Sequence, residues 1–182
     1  MANGRGVRRV AFIRAVGPAT HRVMALRDLC AAFGKQGLAE PVSLLATGNI
    51  FFTSALSTKA CKARAHAAIN SFGITLGIFV RDAREMAALM KDCPFPAAAK
   101  ERPSHLLAIL FDDELPTIAC AMLENHQGPE VVKVIGKTIY VDYRDGIGHS
   151  TLMPGVIERR LKCKGTARNW NTITKSLALL EV

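Results

Sequence analysis

The stretch Val131-Val132-Lys133-Val134-Ile135-Gly136-Lys137-Thr138-Ile139-Tyr140-Val141-Asp142-Tyr143 contains two short runs rich in β-branched residues, separated by Gly136-Lys137. Runs of this composition favour β-strands, and a glycine-containing pair between them favours a tight hairpin. A similar pattern occurs earlier, where Gly48-Asn49 separates residues 42–47 from residues 50–53. The earlier pair is compatible either with a hairpin or with a bulge in one longer strand.

Around the earlier hairpin, the first half of the chain alternates strand and helix patterns. Residues 7–15 have the composition of a strand, and residues 22–33 place apolar side chains on one helical face. After the hairpin, Ser57 begins a helix pattern that ends near Gly73, and residues 74–80 predict a further strand. The predicted order is therefore βαββαβ.

The second half repeats much of this order. Residues 104–112 predict a strand and residues 115–124 a helix, and the hairpin of residues 131–143 follows. Helices are then predicted over residues 152–161 and 168–180. The repeated order indicates a duplicated split βαβ unit, so we expect an α+β fold of two ferredoxin-like halves with a C-terminal helix.

The predicted domains follow from the position of the prolines. Pro94, Pro96 and Pro103 lie close together, which is typical of a connecting segment. We expect residues 1–93 to form the first βαββαβ half plus a short helix that begins at a capping box, Asp82 to Glu85. Residues 94–103 are then the linker, and residues 104–182 form the second βαββα half with the C-terminal helix.

The composition is that of a globular protein with an excess of basic residues. Hydrophobic residues make up 49% of the 182 residues, which is enough for a buried core, and no apolar run reaches the length of a membrane span. The formal net charge of +9 raises the expectation of anionic partners. A solvated basic face is the alternative that the short, scattered basic clusters favour.

The five cysteines are an odd number, widely spaced, and without a Cys-x-x-Cys pair. We interpret them as reduced thiols of a cytoplasmic protein and expect no metal site and no cofactor. Cys163 lies between Lys162 and Lys164, whose charges would favour its thiolate, although an inert thiol is the favoured interpretation.

Polar residues concentrate near the C-terminus. A glycine-bearing turn precedes a segment rich in amide and guanidinium groups, and such groups together suit a small anion. A plain strand-to-helix turn is the competing interpretation of the glycines, and Trp170 is expected to be a buried structural anchor rather than a stacking platform. The candidate anion-binding residues are Gly146, Gly148, His149, Ser150, Arg168, Asn169 and Asn171, with Arg14 and Asn49 as further members.

Three functions remain open from the residues alone. The leading hypothesis is a protein that binds a small anionic or phosphorylated ligand. A nucleic-acid-binding module is the second, but Tyr140 and Tyr143 face opposite sides of a strand, as do Phe51 and Phe52, and no aromatic RNA-binding signature occurs. An enzyme acting on a phosphorylated or nucleotide substrate is the third. Its catalytic residues are unknown, because His149 beside Ser150 lacks the context of a serine triad.

Several short motifs, in order along the chain, resemble the domain of unknown function 1697 family. They are Thr47-Gly48-Asn49-Ile50-Phe51-Phe52, Val80-Arg81 with Glu85-Met86, Pro94-Phe95, Asp145-Gly146-Ile147-Gly148 with Ser150 and Leu152, and Thr166-Ala167-Arg168-Asn169-Trp170-Asn171-Thr172. The resemblance runs nearly end to end and implies a bacterial-type, cytoplasmic α+β protein with no established cofactor or reaction. The chain departs from the family pattern after Arg14, where the usual glycine-rich loop is replaced by Ala15-Val16-Gly17-Pro18.

Overall fold

The computed structural model describes residues 6–181 and contains two four-stranded sheets in which every pairing is antiparallel. Residues up to Met86, with those from Ser176 onward, form one compact unit, and Ala87–Lys175 form the other. The α+β class and the two ferredoxin-like halves predicted from the sequence are confirmed. The domain boundaries at residues 93 and 104 stay a prediction.

The first unit has the strand order β2-β3-β1-β4, which is that of a split βαβ sheet. Ser57 accepts a hydrogen bond from the backbone N–H of Ala60 and so caps the helix that joins β3 to β4. The capping box is also formed, since Asp82 and Glu85 each accept a hydrogen bond from the other's backbone N–H. The elements are β1 Val7–Ile13, α1 Pro18–His21, α2 Leu26–Lys35, β2 Ala39–Leu44, β3 Asn49–Ser54, α3 Thr58–Asn70, β4 Ile78–Asp82 and α4 Ala83–Lys91.

Helices α2 and α3 of the first unit contribute to one hydrophobic core with the sheet. Phe33 of α2 meets Phe52 of β3 edge to face, with the ring centroids 5.9 Å apart. Ala11 and Ile13 of β1 belong to the same core, and the intervening Val10 and Phe12 are buried as well. Because successive strand residues point to opposite faces, both faces of this sheet are buried.

The second unit repeats the topology, with strand order β6-β7-β5-β8. Its core combines buried residues of the sheet such as Ile109 and Val141 with Leu123 and Ile157 of the covering helices. The elements are α5 Pro96–Glu101, β5 Leu106–Leu110, α6 Thr117–Glu124, β6 Val131–Ile135, β7 Thr138–Asp142, a 3-10 turn Ile147–His149, α7 Pro154–Leu161, β8 Thr166–Asn169 and α8 Trp170–Leu180. Helix α8 belongs to this unit up to Lys175.

The structure corrects two details of the predicted elements. The C-terminal helix begins at Trp170 rather than at Arg168, because Thr166–Asn169 pair with β5 as the fourth strand of the second sheet. The second half is therefore a complete βαββαβ unit. The expected linker contains helix α5, in which Pro96 occupies the first turn and a run of three alanines favours helix.

The two glycine turns occupy equivalent places in the two units. The first joins β2 to β3 and the second joins β6 to β7, which in each unit are the second and third strands along the chain. Residues 42–53 form two strands paired antiparallel, so the hairpin interpretation is correct and the single bulged strand is wrong. Within residues 6–181, every helix is too short or too polar to traverse a lipid bilayer.

Candidate functional site

A cleft of about 670 Å³ lies in the first unit, where the end of α2 meets the end of β3. This volume is in the range of small-molecule sites. Two cationic side chains, Lys35 of α2 and Arg64 of α3, line it together with backbone and small polar groups. We call it the basic cleft, and its other lining residues include Gln36, Gly37, Thr53, Ser54 and Leu56.

Local sequence features shape the basic cleft. Helix α2 ends at Lys35, and Gly37 adopts a positive φ of 75° that turns the chain away toward β2. On the opposite wall, Gly6 lies so close to β3 that a Cβ atom there would stand 2.7 Å from Cγ2 of Thr53. A larger residue at position 6 would therefore displace the cleft wall.

A buried arginine supports this wall from within the unit. Arg9 of β1 is only 7% exposed, and its Nη1 donates to the carbonyl oxygens of Ser54, at 2.9 Å, and Val7, at 3.3 Å. Its Nε is buried without a hydrogen-bond partner. The cross-strand neighbour Asp82 uses a carboxylate oxygen in the capping box instead. Within residues 6–181, Arg9 takes part in no ion pair.

Charge is distributed unevenly between the two units. The sequence of the first unit has twelve Lys and Arg residues and five Asp and Glu residues, a net charge of +7. The second has twelve basic and ten acidic residues, a net charge of +2. On α3, Lys59, Lys62 and Arg64 occur without any acidic residue. Burial and the charge of Lys62 lower the pKa of His66 on the same helix, so it adds little positive charge at neutral pH.

A second cleft, of about 420 Å³, adjoins the first along the groove between α2 and α3. Lys35 and Gln36 line both clefts. We call the second one the alanine cleft, because three of its eight lining residues are alanines. Its remaining lining residues are Asp28, Ala31, Ala32, Ala68, Ser71 and Phe72.

The predicted glycine turn of the second unit is largely hydrogen-bonded to itself. Gly146 has a positive φ of 86°, and its N–H donates to the carbonyl oxygen of Tyr143 at 2.8 Å. The N–H groups of His149 and Ser150 donate to the carbonyl oxygens of Gly146 and Ile147. These three backbone N–H groups therefore already have hydrogen-bond partners. As whole residues, Gly148 and His149 are exposed to solvent.

Ser150 also lies beside a buried carboxylate. Glu130 is 5% exposed, and its Oε2 lies 3.2 Å from Nε2 of His126. Burial acts to raise the pKa of Glu130, but hydrogen bonds from Ser150 and from its own backbone, together with His126, outweigh burial and lower that pKa. An ionised carboxylate at Ser150 disfavours an anion at that side chain.

Arg168 lies on β8, with its side chain almost fully buried. Its Nη1 donates to Oγ1 of Thr166 at 2.9 Å and to the carbonyl oxygen of Ala167 at 2.8 Å. Burial lowers the pKa of Arg168 to about 10. Ala167 and Ile147 pack against the helix-covered core, so strand alternation places Arg168 on the other face of the sheet from Ile147. Anion binding by Arg168 and the turn stays a prediction.

Two of the predicted anion-binding residues, Asn49 and Arg14, lie in the first unit. Asn49 is fully buried, and its amide nitrogen donates to the carbonyl oxygen of Leu44 and to Oγ1 of Thr47, which closes the β2–β3 turn. Arg14 is half-buried after β1, and its backbone N–H donates to the carbonyl oxygen of Gly77. Their proposed part in anion binding also stays a prediction.

The remaining predicted residues lie at the start of α8. Asn169 is the N-cap, since its Oδ1 accepts hydrogen bonds from the N–H and the hydroxyl of Thr172, both at 3.0 Å. Asn171 is exposed. Trp170 is 5% exposed and packs against Tyr140 with ring centroids 6.3 Å apart. Its role as a structural anchor stays a prediction.

Sequence reasoning did not select Arg9, Lys35 or Arg64. One signal was available for Arg9, which alternates with Ala11 and Ile13 along a strand and therefore points to the core face. Lys35 and Arg64 are separated by 29 positions, and only the packing of α2 beside α3 brings them to one cleft. Among the described residues, no group of three or more His, Cys, Asp or Glu side chains could hold a metal ion.

Fold and cleft together define an α+β protein with two ferredoxin-like units and a basic cleft in the first of them. The chain belongs to the family described as "Protein of unknown function (DUF1697)", whose model matches residues 7–140. A solved structure of a conserved bacterial protein from Streptococcus pneumoniae is similar in fold, with a TM-score of 0.72 and 18% sequence identity. That similarity covers 97% of this chain and 99% of the other. No functionally curated protein matches the chain.

Proposed function

We propose that this protein binds a small anionic, phosphorylated ligand in the basic cleft. The observation that carries the proposal is Arg9, a buried guanidinium with no carboxylate partner and an unpaired Nε, attached through Ser54 to the cleft wall. A buried cation without a counterion is costly, and an anionic ligand in the cleft, which Arg9 itself does not line, would offset that charge through space.

The rim of the cleft supports the same ligand class. Lys35 and Arg64 can donate charge-assisted hydrogen bonds to phosphate oxygens, and the surrounding unit carries most of the net charge of the chain. No carboxylate or histidine belongs to the described residues that line the basic cleft. This composition favours binding over acid–base catalysis, so an enzyme acting on a phosphorylated substrate is the less favoured alternative.

Nucleic-acid binding through the sheets is also less favoured. Single-stranded RNA is commonly read by exposed aromatic side chains on a sheet, whereas Phe51, Phe52, Tyr140 and Tyr143 are each at most 1% exposed. A cytoplasmic location is part of the proposal and is supported by the five cysteines, all of which are free thiols.

Calorimetric titration with inorganic phosphate and ribose 5-phosphate tests the proposal. Arg64→Gln should weaken binding at least tenfold, since a hydrogen bond to a charged group is worth about 1.5–3 kcal/mol. Lys59→Gln is the matched control, because it removes the same charge from α3 at a residue that does not line the cleft. Equal affinities of the two variants would contradict the proposal. Strong, steeply salt-dependent binding of mixed-sequence RNA or DNA instead would favour the nucleic-acid alternative.

A further inference from the structure

The basic cleft and the alanine cleft lie side by side and share two lining residues. Lys35 and Gln36 stand where the two meet. Their residues recur at helical spacing on both helices, with Asp28, Ala32 and Lys35 on α2 and Arg64 and Ala68 on α3. Helices α2 and α3 therefore form part of the walls of both clefts, and strand and turn residues such as Gly37, Thr53 and Ser54 form the rest of the basic cleft.

Together, the two clefts are larger than an isolated phosphate group needs. The two clefts measure about 670 and 420 Å³, volumes in the range of small-molecule sites, and both are open to solvent. Ala31, Ala32 and Ala68 keep the second cleft open, since larger side chains at these positions would fill it. Half-buried Phe72 adds an aromatic surface to its wall.

Charge fixes the direction in which a ligand would lie. Lys35 and Arg64 line the basic cleft without any acidic residue, whereas in the alanine cleft Lys35 is accompanied by Asp28. A phosphate group is attracted to the first cleft and repelled by the carboxylate in the second. The uncharged part of the ligand is then directed toward the alanines and Phe72.

We infer that the ligand of the proposed function is an organic phosphate that carries an aromatic ring, with its phosphate in the basic cleft and its ring in the alanine cleft. This inference rests on the proposed function and adds the class of ligand. The flat ring would lie over Ala31 and Ala32 of α2 and against Phe72, where stacking and apolar burial stabilise it. Nucleoside monophosphates and aryl phosphates belong to this class.

The inference can be tested with pairs of ligands in which one member carries an aromatic ring and the other does not. Phenyl phosphate and methyl phosphate carry the same charged group, and adenosine monophosphate and ribose 5-phosphate form a second pair. We expect the ring-bearing member of each pair to bind the parent protein roughly tenfold more tightly, the scale of one stacking contact. Isothermal titration calorimetry measures all four dissociation constants.

A cleft-filling variant locates the ring. Ala31→Leu should abolish the difference between phenyl and methyl phosphate while leaving the dissociation constant of methyl phosphate unchanged. Ala31 is exposed on α2, where leucine is a good helix former, so the variant should fold. Ala63→Leu is the control, because Ala63 is exposed on α3 and does not line either cleft.

The outcomes separate this inference from the proposed function. Equal binding of phenyl and methyl phosphate by the parent, with both weakened by Arg64→Gln, overturns the aromatic ring but leaves the anion site. A loss of ring preference in Ala63→Leu as large as in Ala31→Leu also overturns the location of the ring. Failure of all four phosphates to bind overturns the proposed function and this inference with it.

Discussion

Nη1 of Arg9 donates a 2.9 Å hydrogen bond to the carbonyl oxygen of Ser54, and this contact joins a buried cation to the wall of the basic cleft. The arrangement contrasts with Arg102 in the second unit, whose guanidinium makes two hydrogen bonds to the carboxylate of Asp142. Those bonds raise the pKa of Arg102. Arg102 therefore belongs to a structural ion pair, whereas within residues 6–181 Arg9 makes hydrogen bonds to two carbonyl oxygens and no ion pair.

Arg9→Met should separate stability from binding. Methionine keeps an apolar stem of similar length and removes the uncompensated charge, while two hydrogen bonds to carbonyl groups are lost. We expect the free energy of unfolding to change by no more than about 1 kcal/mol, since these terms oppose each other. Phosphate affinity should fall at least tenfold. Arg22→Met, at an exposed arginine, is the control, and equal phosphate binding by the two variants would show that Arg9 is only structural.

Trp170→Ala should destabilise the second unit strongly. The indole is 5% exposed and packs against Tyr140. The backbone N–H of Trp170 also donates a hydrogen bond to the carbonyl oxygen of Pro103. Truncation of a buried large aromatic side chain costs about 3–5 kcal/mol. Chemical denaturation followed by circular dichroism measures the loss. A variant that unfolds like the parent would mean that the indole contributes no packing energy.

The cap of α8 offers a matched pair of asparagines. Asn169→Ala removes two hydrogen bonds to Thr172 and should cost about 1 kcal/mol, the usual value of an N-cap. Asn171→Ala, only two residues away, changes an exposed side chain and should stay within about 0.5 kcal/mol. Similar losses in both variants, measured by thermal unfolding, would refute the capping role.

The fold was predictable because its signals are local and repeated. Each of these signals favours one backbone conformation within a few residues. Examples are the glycine turns between β-branched runs, the Ser57 cap, and the capping box of Asp82 and Glu85. Strand β8 was missed because it is only four residues long and runs directly into α8 at Asn169. A pattern so short cannot be distinguished from a helix start by periodicity alone.

The candidate site was less predictable than the fold, for a physical reason. The first hypothesis combined the glycine and serine residues of one turn with Arg168, which follows after helix α7, but Ser150 lies at a buried carboxylate and Arg168 lies on the face of the sheet opposite Ile147. The basic cleft instead combines Arg64 and Lys35 from two helices. Such a combination depends on tertiary packing, which no local pattern records.

Glu130 should make stability depend on pH under acidic conditions. Its pKa is lowered in the folded protein from the model-compound value of 4.5, so the folded state binds this proton less readily than the unfolded state. The resulting stabilisation is present above about pH 4.5 and is lost as the pH falls through the lowered pKa. Thermal unfolding from pH 7 to pH 3 should therefore show a smaller decline in Glu130→Gln than in the parent. A decline in Glu130→Gln as large as in the parent would exclude this contribution.

Arg168 and Arg64 distinguish the two anion sites considered for this protein. If the basic cleft is the site, Arg64→Gln weakens binding of ribose 5-phosphate at least tenfold, because a lost hydrogen bond to a charged ligand costs about 1.5–3 kcal/mol. Arg168→Met should leave the dissociation constant within about twofold, because Arg168 does not line that cleft. Arg168→Met should instead alter stability, because its guanidinium is almost fully buried and bonded to Thr166 and Ala167. Calorimetry and thermal unfolding on the same samples measure both quantities. Weaker phosphate binding in Arg168→Met, with an unchanged melting temperature and no effect of Arg64→Gln, would place the anion at Arg168 and remove the basic cleft as the binding site.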